Sequence, residues 1–311
     1  MIKKAITLLF LFTVYTSLLY GQDVYMFSYF TGNGEDGVHL AYSLDGLDWN
    51  ALNNNKTFLE PKIGKDCLMR DPFILNGPDG MFHMVWTTGW NDPYIGYASS
   101  KDLIHWSKQK LIPVMEHEPE VQNSWAPEIF YDDQSKTFYI FWASSIPNRH
   151  SPVDQLSDAK TPKNHRMYYV TTTDFKTFSE TNIFFNPNFS VIDASVIKDG
   201  KQFIMFLKNE NPNPAEKNIR ISISNKSVLD FPVEVSSPIT GNYWAEGPAP
   251  LKIDDYFYVY FDKYKLRQYG AVRSKDLKNW EDISDQVSFP KGIRHGAVFK
   301  VTEQLLNNIQ K

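Results

Sequence analysis

Four carboxylates and one histidine recur at comparable spacing along this chain of 311 residues. They are Asp71 in Arg70-Asp71-Pro72, Glu128 in Trp125-Ala126-Pro127-Glu128, Asp193 in Ile192-Asp193-Ala194-Ser195, Glu246 in Ala245-Glu246-Gly247-Pro248, and His295 in Arg294-His295-Gly296. Their separations are 57, 65, 53 and 49 residues, and an apolar, strand-like run follows each one. Carboxylates gathered in one pocket do not titrate independently, because repulsion and burial raise some pKa values and leave other groups ionised. A pair split in this way can protonate a leaving oxygen and activate a water, which is the chemistry of glycoside hydrolysis. Any one of these motifs alone fits an acid that merely caps a strand. Five in phase point to a shared pocket, with each group at the same place in its repeat.

The elements that must position them are strands. Phe73-Ile74-Leu75, a turn at Asn76 to Gly80, Met81 to Thr87 and Tyr94 to Ser99 make one unit. The pattern returns at Ile129, Val196 and Pro250. A second repeat runs in step with it: Ser or Thr, one residue, Asp, three residues, then Trp or Phe. It occurs at Ser43-Asp45-Trp49, Ser100-Asp102-Trp106, Thr172-Asp174-Phe178 and Ser274-Asp276-Trp280, with a degenerate copy expected between Ser222 and Phe231. Strand-rich units at this period are the mark of a propeller. The fifth unit is split. Ala297 to Val301 supplies its first strand, and Val24 to Phe30 and Val38 to Tyr42 supply the others. The expected fold is therefore all-β, a single five-bladed β-propeller over residues 23–311, closed by a blade shared between N- and C-terminal strands. Closure removes an open sheet edge. The starts of the inner strands would then ring one mouth of the central channel.

Composition agrees with this and excludes other classes. Aromatic residues make up 15% of the chain, which suits β-structure and stacking on sugar rings. A formal charge of -4 argues against a nucleic-acid partner. Residues 1–22 read as a secretory signal peptide: Lys3 and Lys4, an apolar run from Ala5 to Tyr20, then Gly21-Gln22. Export to the periplasm or the outside is expected, with no membrane span after cleavage. Cys67 is the single cysteine, so no internal disulfide forms. A monomer is expected.

In this order the five motifs resemble glycoside hydrolase family 43, and the resemblance covers Asp23 to about Thr302. It implies a five-bladed propeller that hydrolyses arabinose- or xylose-containing glycans with inversion, with no cofactor required. Carried onto matching positions, Asp71 is the general base, Glu246 the general acid, and Asp193 the residue that tunes and orients that acid. Glu128 stands where the family often has Asp and is assigned to substrate binding. His295 matches a histidine near the channel axis, where a structural calcium or a water often sits, which makes it a candidate substrate or metal contact. Calcium, however, prefers oxygen ligands. One departure is the length of strand ahead of Asp71, which a split closing blade explains.

Trp90, Trp125 and Trp244 are candidate sugar platforms, whereas Trp49, Trp106 and Trp280 recur with the repeat and read as structural. Arg70, Arg220 and Arg294 are candidate partners of the acids, with Arg294 favoured by its neighbour His295. The polar insertion from Ser144 to His165 reads as a loop over the funnel. The expected substrate is an oligo- or polysaccharide. The expected activity is an α-L-arabinofuranosidase, with β-xylosidase, endo-xylanase or arabinanase activity of the same family as alternatives. Two rivals stand outside that family: a retaining fructan-type hydrolase, which lacks its Asn-Asp-Pro upstream of Arg70, and a non-catalytic carbohydrate-binding propeller.

Overall fold

A computed structural model describes residues 23–150, 163–212 and 214–311. The segment read as a signal peptide and part of the polar insertion lie outside these residues. Among the described residues, nineteen strands form five antiparallel sheets. The first blade in chain order is β4 (Arg70–Asn76), β5 (Phe82–Thr87), β6 (Ile95–Ser100) and β7 (Lys110–Ile112). The second is β8 (Trp125–Asp132), β9 (Thr137–Ser145), β10 (His165–Thr172) and β11 (Asn182–Phe185). The third has three strands, β12 (Val191–Asp199), β13 (Gln202–Asn209) and β14 (Asn218–Ser224). The fourth is β15 (Glu246–Ile253), β16 (Tyr256–Lys263), β17 (Gln268–Ser274) and β18 (Glu281–Asp282).

The closing blade pairs β19 (Gly296–Val301) with β1 (Val24–Tyr29), then β2 (His39–Ser43) and β3 (Asn50–Ala51). Val24 sits opposite Val301 and Tyr29 opposite Gly296, so the join is the expected one. The inner strands β19, β4, β8, β12 and β15 pack in that order, and β15 returns to β19. A Cβ on Gly296 would lie 1.7 Å from the Ser28 carbonyl oxygen, so this close strand approach requires glycine. The ring of five blades is thus the fold read from the repeats.

The core consists of five wedges, one between each pair of neighbouring blades. Successive residues of a strand serve opposite wedges: Met84 and Trp86 pack toward the closing blade, and Val85 toward the second blade. Met205 and Leu207 pack toward the second blade, and Ile204 and Phe206 toward the fourth. Strands buried on both faces read as unbroken apolar runs, which is why Phe203 to Leu207 and Tyr256 to Phe261 show little polar alternation.

The Ser-x-Asp repeat is a turn device. The Ser43 hydroxyl accepts from the Gly46 amide at 2.9 Å, and Asp45 Oδ1 accepts from the Leu47 and Asp48 amides at 2.8 and 3.0 Å. In the third blade Ser224 keeps its role, accepting from the Lys226 and Ser227 amides, but Lys226 stands where the aspartate belongs. That degenerate turn leads to no fourth strand among the described residues.

Candidate active site

The site is built on a shared irregularity of the inner strands. The ladder skips two residues in four of them: Asp71-Pro72 in β4, Ala126-Pro127 in β8, Asp193-Ala194 in β12 and Gly247-Pro248 in β15. The first residue of each bulge has a left-handed backbone, with φ of 52°, 45°, 54° and 61°. Bulges of this kind re-aim side chains and terminate pairing next to active sites. They also correct the expectation of equal placement. Asp71 and Asp193 are true equivalents, but Ala126 and Gly247 hold that position in the other two blades. Glu246 precedes its bulge and Glu128 follows its own. The acids lie within the strands, not ahead of them, and converge from three register positions.

Asp71 is held by two partners. Thr87 Oγ1 donates to its Oδ2 at 2.8 Å, and His295 Nδ1 lies 3.3 Å from its Oδ1. Burial pushes this carboxyl up, but the hydrogen bond and charge of His295, aided by Arg70 and Thr87, bring it down to about 2. Burial would strip the proton from His295. Asp193, Asp71 and Glu128 outweigh that and raise it to about 9. The contact with Asp71 engages Nδ1 of His295, so a metal or sugar contact would fall to Nε2. Among the described residues no three His, Cys, Asp or Glu side chains are grouped to hold an ion.

Asp193 is buried, and its Oδ2 accepts from the Gly247 amide at 3.0 Å. Burial raises it to about 6, against the opposing charges of His295 and Lys208. Its hold on Glu246 runs through the backbone of the next residue. Gly247 is required twice over: its φ is positive, and a Cβ there would lie 2.3 Å from the His295 ring. Glu128 is buried, and desolvation raises it well above the usual carboxyl range. Its Oε2 has no hydrogen-bond partner among the described residues.

Glu246 faces two cations. Lys208 Nζ lies 3.0 Å from its Oε2, and Arg294 Nη2 lies 3.4 Å from its Oε1. Lys208 is 2% exposed and also holds Glu210 at 2.7 Å, while Arg294 Nε donates to the buried Asp262. Burial opposes the charge on Lys208, but Glu246 and Glu210 raise it well above the usual lysine value. Lys217 completes the line at Glu210. An alternating chain results: Lys217, Glu210, Lys208, Glu246, Arg294, Asp262. Its Lys208 and Asp262 were not singled out from sequence. Both lie opposite the residue that precedes a bulge, Lys208 across from Ile192 and Asp262 across from Glu246, and Thr87 takes the same place across from Arg70.

Aromatic side chains rim the mouth. Trp90 and Trp244 are exposed, at 43% and 36%. Arg70 lies between the rings of Trp90 and Phe30, at 4.4 and 4.7 Å from their centroids. Trp125 is half-buried, meets Trp90 edge to face and donates its indole N–H to the Trp90 carbonyl. Lys163 Nζ stands 3.9 Å above the Trp125 ring. Trp49 is buried and Trp106 is tied to the Leu103 carbonyl, as expected of structural residues. Arg220 lies apart from the acids and pairs with Glu216 at 2.7 Å.

A five-bladed ring with acids converging on one channel mouth defines the class, and comparison with known proteins agrees. A family model described as a probable glycosyl hydrolase domain, of the family 43-related type, matches residues 22–307. The chain belongs to glycoside hydrolase family 43. It is similar to a curated α-L-arabinofuranosidase of Bifidobacterium longum, at 23% identity over 76% of this chain. It spans only 29% of that relative's length. Among solved structures, the α-L-arabinofuranosidase of Lactobacillus brevis superposes with a TM-score of 0.54 at 17% identity, covering 70% of this chain and 72% of that one. A family 43 β-1,3-galactosidase also superposes at 0.54, with 12% identity and 72% and 79% coverage. These two likenesses establish the fold.

Proposed function

We propose that this protein is an exported, inverting glycosidase that releases α-L-arabinofuranosyl units from arabinose-bearing plant polysaccharides. One observation carries the mechanism: Asp71 is kept ionised by His295 and Thr87, while Glu246 sits in a separate cluster with Lys208 and Arg294. An ionised carboxylate suits the base, and the assignment of Glu246 as proton donor follows its match to the family motif. Asp71 takes a proton from water as the water oxygen attacks the anomeric carbon. Glu246 gives its proton to the glycosidic oxygen as the carbon–oxygen bond breaks on the opposite face. Lys208 and Arg294 stabilise the carboxylate that forms. Asp193 fixes the backbone at Gly247 and so orients Glu246, while Glu128 and the rim tryptophans contact the sugar. The choice of arabinose follows the curated relative, and the galactosidase of the same fold is the reason to test other sugars beside it.

The test is hydrolysis of aryl α-L-arabinofuranoside, β-D-xyloside and β-D-galactoside, with the anomeric form of the first product read by NMR. The expected result is arabinoside turnover with inversion. Glu246→Gln should lower turnover of poor leaving groups by about 10²–10⁴ and keep binding. Retention of configuration, or near-normal rates in that variant, would remove the assignment.

A further inference from the structure

Arg294 has a second side. While Nη2 faces Glu246, its Nε holds Asp262, and beyond this pair opens a groove of about 990 Å³. The groove runs between the turn joining β16 to β17 and residues 284–293, which cross to the closing blade. Asp262 and Arg294 form part of its wall, so the groove begins one side chain away from Glu246.

Its lining pairs aromatic faces with uncommitted cations. Tyr264, Tyr269 and Phe289 contribute rings, with Phe289 4.9 Å from Tyr269. Arg267 and Lys291 are exposed on the rim, and neither forms an ion pair among the described residues. Lys263 is directed at Asp282, 3.9 Å away. The lining carboxylates are Asp262, which is committed to Arg294, and Asp285. Two free cations against one free carboxylate run counter to a chain whose formal charge is -4. A neutral glycan would occupy the rings and leave the cations unused. A sugar bearing a carboxylate or a sulfate would use both, since charge-assisted hydrogen bonds are the stronger kind.

A glycosidase proton donor faces the oxygen of the departing group. The departing portion therefore lies on the Glu246 side, and Arg294 and Asp262 are the residues that the Glu246 cluster and the groove wall share. We propose that the groove holds the leaving portion of the substrate and that this portion carries an anionic sugar, recognised by Arg267 and Lys291 over the rings of Tyr264 and Phe289. The placement rests on Glu246 as the proton donor.

The test is binding to the full chain by titration calorimetry, which needs no turnover. Three oligosaccharides of equal size are compared: one bearing a uronic acid, its carboxyl-reduced neutral counterpart, and one bearing a sulfate. At least one anionic oligosaccharide is expected to bind about tenfold more tightly than the neutral one, with the two arms telling carboxylate from sulfate. Arg267→Ala/Lys291→Ala is expected to abolish that preference and leave hydrolysis of a neutral aryl glycoside unchanged. Both residues are exposed, so this variant should keep its fold, and an unchanged melting temperature checks that. Equal affinity for all three ligands, or a preference that survives in the double variant, overturns the proposal. An intact anionic preference without turnover of any aryl glycoside supports the binding site and removes the proton-donor reading alone.

Discussion

Lys208 is the residue that most changes the account of the site. A buried ammonium is tolerated only where it is paired, and here it is paired on both sides. It stands closer to Glu246 than any other charge described, whereas the hydrogen bond from Asp193 goes to the amide of the next residue, Gly247. Lys208→Met removes the ammonium 3.0 Å from the Glu246 carboxylate and leaves Glu210 with Lys217 alone. kcat/KM is expected to fall by about tenfold across its pH profile, and an unchanged profile would make Lys208 merely structural. His295 is the corresponding cation at Asp71. His295→Gln should move the acid limb upward by about one to two units from its position near pH 2, as read from the same profile. Stability follows the same pair. The contribution of His295 is full below its ordinary 6.5 and is lost as pH rises through about 9. That of Asp71 is full above its ordinary 3.8 and is lost as pH falls through about 2. Melting temperature should therefore fall toward both ends of that range, and a flat profile would count against the pair.

At the scale of the strand, the bulge is the unit that makes the site. It turns a regular inner strand into one that presents a side chain to the channel mouth, and the left-handed residue at its start is where the cost falls. Aspartate and glycine tolerate that conformation better than most residues. Gly247→Ala adds a steric contact with His295 to the backbone strain. Gly200→Ala, at a turn with φ of 57° and open space around it, adds strain alone. The second change is expected to cost about 1 kcal/mol and the first at least about twice that, measured by denaturant unfolding. Equal costs would mean that His295 does not press on Gly247. The bulges also explain what the sequence could and could not disclose. Asp71, Asp193 and Glu246 stood out because Pro or Ala-Ser follows within two residues, but the two-residue skip is invisible in a linear pattern, so their unequal registers were hidden. Lys208, Thr87 and Asp262 were legible in principle, since each is the polar residue that ends a second strand's apolar run, 16 or 17 residues after its partner. Their value shows only once the ladder fixes who faces whom. The short outer strands β3, β7 and β18 escaped because a two- or three-residue exposed strand carries no periodicity.

For the whole molecule, the ring was legible because two independent repeats ran in step and the split unit had complementary parts missing from either side. The ring is also what the site depends on. Removing residues 294–311 takes away β19, Arg294 and His295 together and exposes the edge of β1. Loss of cooperative melting and of all turnover is expected, while a truncated chain that kept a sharp melting transition would show that four blades hold their shape unaided.

That dependence has a temporal side. His295 and Arg294 follow all four other inner strands in chain order, and they supply the charges that Asp71, Asp193 and Glu246 require. A ribosome therefore releases Asp71 and Asp193 before the imidazole that they face, and the last inner strand to emerge shuts the ring. A product of interrupted synthesis or trimming that lacks this strand is expected to show no turnover, so under the proposed mechanism activity reports on intact assembly.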